Sequence, residues 1–231
     1  MGKQENLLKM LNGRIIVSCQ PVVDGPMDNT AIVTAMALAA QNGGAAGLRI
    51  DSIESVRSVA AASVLPIIGI VKRVLKDSPV IITPLIEDID GLADAGATII
   101  AYDATQRDRP VPTANIVRRI NELGLLAMAD CARLDDGRQA LDEGARILGT
   151  TLSGYAYDSL PEQSPPDLDL VQELAALDAY VIAEGRFRTP DEAGEAINCG
   201  ANSVVVGSAI TRIENVTGWF SDAIEDASGV R

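Results

Sequence analysis

The chain has 231 residues, 47% of them apolar, and a formal net charge of −13, so it can bury a full core in one large α/β domain or two small ones. An acidic surface repels nucleic acid and anionic membranes, which excludes both as expected partners. The chain has no histidine and no CxxC, only Cys19, Cys131 and Cys199 far apart, so no metal is expected, and acid–base work near neutral pH falls to other groups with shifted pKa.

The opening segment MGKQENLLKMLNG predicts a short N-terminal helix and lacks the apolar core of a signal peptide. No apolar run reaches the ~20 residues of a membrane helix. With three unpaired cysteines, the expected location is the cytoplasm. Strand-like runs then follow at RIIVSC (14–19), AAGLRI (45–50), PIIGIVK (66–72), PVIIT (79–83) and ATIIAYD (97–103). They continue at LLAMAD (125–130), ARILGTT (145–151), YVIAEG (180–185) and NSVVVGS (202–208). The runs are almost wholly apolar, as in parallel strands covered on both faces.

Helices are expected between most of these runs. Asp28 caps a helix over 29–42 that ends at Gly43 and Gly44, and Thr113 caps one over 114–123 that ends at Gly124. Asp167 caps a helix over 168–177 that follows a loop, SLPEQSPP (159–166). Thr189, Pro190, Asp191 and Glu192 read as a capping box with proline in the first turn, and that helix stops at Gly200.

The run at 79–83 breaks the count. About six residues separate it from Lys72, fewer than the dozen or so a parallel crossover needs. It is therefore expected as a β-excursion covering the loop after the third strand. Eight βα units remain, which suits a single (β/α)8 TIM barrel over 1–231, one domain with no linker. A doubly wound open sheet is the alternative, but no GxGxxG or P-loop supports it.

In a barrel the C-terminal strand ends meet at one face. Read in order, those ends are Gln20, Arg49, Lys72, Asp103, Asp130, Thr151, Glu184 and Ser208, each polar after an apolar strand. A structural ring of ion pairs is one explanation, although buried ion pairs stabilise poorly compared with apolar packing. A site for a small anionic substrate is the other. After the seventh and eighth runs, EGR (184–186) and GSAITR (207–212) supply Gly185, Arg186, Gly207, Ser208 and Arg212 before a short helical turn. That arrangement suits a phosphate group.

The segments IIGIVKR, SPVIITP, AYDATQRDRP, MADC, LGTTLSGY, IAEGRFRTP and VVVGSAITR, in this order, resemble the N-acylglucosamine-6-phosphate 2-epimerase family, also called N-acetylmannosamine-6-phosphate 2-epimerases. The resemblance covers about 14–220. It implies a (β/α)8 barrel that converts N-acetylmannosamine 6-phosphate to N-acetylglucosamine 6-phosphate in sialic acid degradation. It further implies Lys72 as the acid–base residue and Glu184 as its helper at the sugar oxygens. Gln20, Arg49 and Asp130 would contact the substrate, and the Gly/Arg/Ser loops would hold its phosphate. Val74 and Leu75 depart from the family's usual Asp-Tyr, and Ala156 from its usual Thr.

Opening the sugar ring exposes a C1 carbonyl and makes the C2 proton acidic, so a base must take it while the enolate oxygen is stabilised. Lys72 can do this only when neutral. Arg49 would lower its pKa, and Asp103 and Glu184, as expected neighbours, would raise it. Thr151 is a further expected substrate contact and Asp103 a supporting group behind the site. No cofactor is needed. A Schiff-base aldolase or lyase using Lys72, and a phosphosugar-binding barrel without catalysis, stay open from the residues. A homodimer is expected from fold and family.

Overall fold

A computed structural model describes residues 2–157, 160–161 and 164–229. Eight parallel strands close into a barrel in chain order: β1 (Arg14–Cys19), β2 (Gly47–Asp51), β3 (Ile67–Ile70), β4 (Ile99–Asp103), β5 (Leu126–Asp130), β6 (Ile147–Gly149), β7 (Tyr180–Glu184) and β8 (Ser203–Val206). The open-sheet alternative is thereby excluded. Helix α1 (Lys3–Leu11) precedes β1, and its leucines Leu7, Leu8 and Leu11 pack on the lower lumen. The barrel is ringed by α2 (Thr30–Asn42), α3 (Ile53–Ala62), α4 (Ile86–Ala95), α5 (Thr113–Glu122), α6 (Leu134–Asp142), α7 (Leu168–Ala175) and α8 (Pro190–Asn198). A four-residue turn α9 (Ser208–Thr211) and the long α10 (Ile213–Ser228) follow β8.

Side-chain alternation along the strands sorts each one into an inner and an outer set. Ile16, Ile68, Ile70, Ile99, Met128, Ile147, Ile182 and Val205 fill the lumen. Val17, Leu48, Ile50, Ile67, Ile100, Ala127, Leu148 and Val181 face the helices. At Gly69 the helix layer presses so close that an added Cβ would meet Ala97 Cβ and Leu92 Cδ2 at 3.0 Å. Glycine there lets α3 and α4 pack onto β3.

Two caps differ from expectation. Helix α2 is capped by Asn29, whose side chain accepts from Ala31 N at 2.9 Å, while Asp28 accepts from Asp24 N in the preceding loop. Thr113 is the first residue of α5 after Pro112, and its hydroxyl donates to Glu143 instead of capping. Asp167 and Thr189 cap α7 and α8 as expected, the latter with Glu192 completing a capping box. Within the expected loop 159–166, residues 159, 162 and 163 lie outside the described residues, and the others carry no helix or strand.

The 79–83 excursion is present and inserts beside β3. Lys72 pairs with Ile82 in an isolated antiparallel bridge. Thr83 N donates to Val71 O at 2.7 Å, and its hydroxyl donates to Ala101 O at 2.7 Å. Asp103 N donates to Ile82 O. Beyond Gly69 the excursion thus stands between β3 and β4, which pair directly only at Ile68–Ile99 and Gly69–Ile100. Among the described residues, no helix is long and apolar enough to cross a membrane.

Candidate active site

The rim groups converge on a cavity of about 200 Å³ at the C-terminal end of the barrel. Strand parity explains why. Arg49 and Asp51 follow Gly47 at intervals of two, Lys72 follows Ile68 and Ile70, Asp130 follows Met128, and Glu184 follows Ile182, so all point toward the lumen. Below them lies a layer of isoleucines that offers no hydrogen bonds, so the buried polar atoms pair within the rim, Arg49 Nε excepted.

Arg49 is that layer's cation and is 1% exposed. Its Nη2 donates to Asp130 Oδ2 at 2.6 Å and its Nη1 to Asp130 Oδ1 at 3.1 Å. Nη1 also lies 3.0 Å from Glu184 Oε2. Arg49 therefore spans the lumen from β2 to β5 and β7. The Thr151 hydroxyl lies 2.7 Å from Asp130 Oδ1 and 3.1 Å from Glu184 Oε2. Thr150 clamps the Glu184 backbone, donating to its carbonyl at 2.8 Å and accepting its N–H at 3.0 Å.

Lys72 stands on β3's extension, diametrically opposite β7 in an eight-strand ring. Its Nζ donates to Gln20 Oε1 at 2.5 Å, and Gln20 Nε2 donates to Ser18 Oγ at 2.8 Å. Asp51 Oδ2 is 3.8 Å from Nζ. Burial lowers the Lys72 pKa, opposed by Asp51 and aided by Arg49 and Arg212. Burial raises Glu184 to about 7 against the pull of Arg49, and Asp130 adds to the rise. The barrel thus moves a base and an acid toward neutrality from opposite directions.

Beside Glu184, Gly185 and Arg186 take φ of 116° and 60°. Arg186 holds this left-handed turn through bonds from Nε to Pro165 O and from Nη1 to Ser153 O. Arg212 Nε donates to Gln20 O at 2.9 Å. Gly207 passes so near β1 that a Cβ would meet Ser18 Cβ at 3.2 Å, and Ser208 opens α9 beyond it.

Ten of the expected residues line the cavity: Gln20, Arg49, Lys72, Thr151, Glu184, Gly185, Arg186, Gly207, Ser208 and Arg212. Asp130 lies behind Arg49, fully buried. Asp103 is not the neighbour of Lys72 that the sequence suggested. It pairs with Arg107 at 2.6 Å and Arg109 at 3.2 Å and accepts from Thr105, because the 79–83 excursion separates β4's end from β3's. Asp51 takes the place beside Lys72.

Other groups carried no strand-end signal. Tyr155, Phe187, Arg188 and Trp219 complete the wall, with Arg188 over the Trp219 ring at 5.0 Å and Arg186 over Tyr155 at 5.6 Å. Asp51 was readable by parity from Arg49. Trp219, on α10, had no such cue. Among the described residues, no group of three or more His, Cys, Asp or Glu side chains could hold a metal ion.

The family model described as "Putative N-acetylmannosamine-6-phosphate epimerase" matches residues 33–226. A Klebsiella pneumoniae protein named "Putative N-acetylmannosamine-6-phosphate 2-epimerase" is 52% identical, over 94% of this chain and 92% of its own length. The Brucella melitensis "Bifunctional enzyme NanE/NanK" is 53% identical over 98% of this chain, which spans only 44% of that relative's length. The solved structure of the N-acetylmannosamine-6-phosphate 2-epimerase from Clostridium perfringens superposes with a TM-score of 0.90 at 39% identity, covering 94% of this chain and 96% of that one. The chain belongs to the N-acetylmannosamine-6-phosphate epimerase family.

Proposed function

We propose that the chain is an isomerase that epimerises C2 of N-acetylmannosamine 6-phosphate to give N-acetylglucosamine 6-phosphate, in sialic acid and amino sugar breakdown. One observation carries this reading. Lys72 and Glu184 line one cavity from opposite strands, with the lysine pKa lowered and the glutamic acid raised to about 7.

Protonated Glu184 gives its proton to O5 and takes the O1 proton, which opens the ring without net proton change. Neutral Lys72 then removes the C2 proton, now α to the C1 aldehyde, leaving an enolate with its charge on O1. Glu184 and the Arg49 field stabilise that oxygen. The Lys72 ammonium, which exchanges its protons with solvent, gives one back to the opposite face of C2 once the open chain has turned over, and ring closure through Glu184 completes inversion with lysine and glutamic acid restored. Gln20 orients Lys72 and meets a sugar hydroxyl, Asp130 holds Arg49, and the turns at Gly185–Arg186 and Gly207–Ser208, with Arg212, receive the phosphate.

We extend the reading to a single barrel domain over 1–231 that acts in the cytoplasm as a homodimer. Three free cysteines support the location. Ile213, Phe220 and Ile224 support the dimer: they are 60%, 68% and 67% exposed on α10, a helix with no buried residue.

The test is turnover of the sugar phosphate in D2O. Deuterium should enter C2 as product forms and should not enter with Lys72→Ala. Product without deuterium, or no product at all, would overturn the reading.

A further inference from the structure

Thr151 sits between two carboxyl groups, and its hydroxyl has one proton to give. It lies 2.7 Å from Asp130 Oδ1 and 3.1 Å from Glu184 Oε2. Were both carboxyls ionised, one of these contacts would set two lone pairs against each other at the floor of the cavity, where Asp130 is fully buried and Glu184 13% exposed. The shorter contact goes to the carboxylate that already accepts two bonds from Arg49, so Asp130 receives the Thr151 proton. The longer contact then needs a proton from Glu184. Oε2 is free to donate: Arg49 Nη1 lies 3.0 Å from it, but the hydrogen bonds from Nη1 run to Asp130 Oδ1 and Met128 Sδ, so that contact is one of charge alone.

We propose that Thr151 is a positioning residue that keeps Glu184 protonated, accepting the Glu184 proton on Oγ1 while donating its own to Asp130. The chain of donors runs from Glu184 to Thr151 to Asp130, and Arg49 closes the ring. This rests on the epimerase reading, because it makes Glu184 start each cycle as the acid that opens the sugar ring. It also changes the role of Thr151. A hydroxyl committed to two carboxyls has no second proton for a substrate.

The charged groups facing Glu184 come from three other elements: Arg49 on β2, Lys72 beyond β3 and Asp130 on β5. Replacing Thr151 leaves all three side chains in place; Asp130 loses one bond and keeps the two from Arg49. The sign of that effect is decisive. If Glu184 donates to Thr151, removing the hydroxyl removes an acceptor for the acid form, and the Glu184 pKa falls. If Thr151 donates to a Glu184 carboxylate, removing it takes a bond from the anion, and the pKa rises.

The experiment follows side-chain carboxyl shifts by NMR in ligand-free protein labelled with ¹³C at glutamate, using Glu184→Gln to assign the resonance. Thr151→Val and Thr151→Ala should lower the Glu184 midpoint by about one unit, a tenfold change in its proton affinity. Thr151→Ser should leave it within a few tenths. A midpoint that rises or stays put in both apolar variants overturns the proposal. Should neither apolar variant fold, the infrared carbonyl band of protonated Glu184 in the wild type decides. A band at a hydrogen-bond-donating acid's frequency supports the assignment, and one at a free acid's frequency overturns it. Neither readout uses substrate, so a failed epimerase assay would refute the function without touching this result.

Discussion

Asp51 holds Lys72 at both ends. Its Oδ1 accepts the Lys72 backbone N–H at 3.1 Å, and its Oδ2 lies 3.8 Å from Nζ. The first contact fixes where the lysine leaves the excursion, and the second opposes the lowering of its pKa by burial. Asp51→Asn keeps the backbone bond and removes the charge. The Lys72 pKa should fall further, so the acid limb of the kcat/KM profile should move to lower pH, with a weaker base and a smaller plateau. An acid limb at its wild-type position would reduce Asp51 to a backbone support.

Arg49 is the cation on which the buried carboxyls depend. Arg49→Met leaves Asp130 fully buried and Glu184 nearly so, each without its positive partner. Breaking a buried pair from one side costs about 3–5 kcal/mol. Urea unfolding at pH 8 should show a loss of that size, and the loss should shrink at pH 5, where Glu184 is protonated and asks less of a cation. Equal losses at both pH values would place the defect in packing alone.

The barrel was legible because its strands are predominantly apolar and its rim residues polar, a contrast that needs no tertiary knowledge. Strand parity even places Lys72, Arg49 and Glu184 on the lumen side. What parity does not reveal is which rim group meets which. Asp103 shares its register with Asp130, yet the excursion at 79–83 stands between it and Lys72, and its carboxylate turns to Arg107 and Arg109 four and six residues on. A local chain detour thus replaced Asp103 with Asp51. Trp219 entered the cavity wall from a helix beyond the last strand, where no βα periodicity applies.

Arg212 lines the cavity and lowers the Lys72 pKa, while its Nε is anchored on Gln20 O. In the proposed complex it faces the phosphate. Arg212→Ala should raise KM for the sugar 6-phosphate ten- to a hundredfold, as expected of a lost charge-assisted bond worth about 1.5–3 kcal/mol. Inhibition by inorganic phosphate should weaken in parallel. Unchanged phosphate inhibition with a raised KM would assign Arg212 to Gln20 and Lys72 instead.

Glu184 should also make folding stability depend on pH, and the sign follows from proton counting. Its pKa is about 7 in the folded chain against 4.5 when exposed, so between these values the native state binds the extra proton. Stability from this group is therefore complete below pH 4.5 and is lost as pH rises through 7, by up to about 3 kcal/mol. Lys72 acts in the opposite sense at higher pH, since its lowered pKa leaves the unfolded chain holding the extra proton. Glu184→Gln removes the first effect and keeps the second. Urea unfolding at pH 5 and pH 8 should then show the variant gaining on the wild type as pH rises. Parallel curves would mean that Glu184 titrates as an ordinary exposed carboxyl, and Arg49 would then face two anions across the whole range.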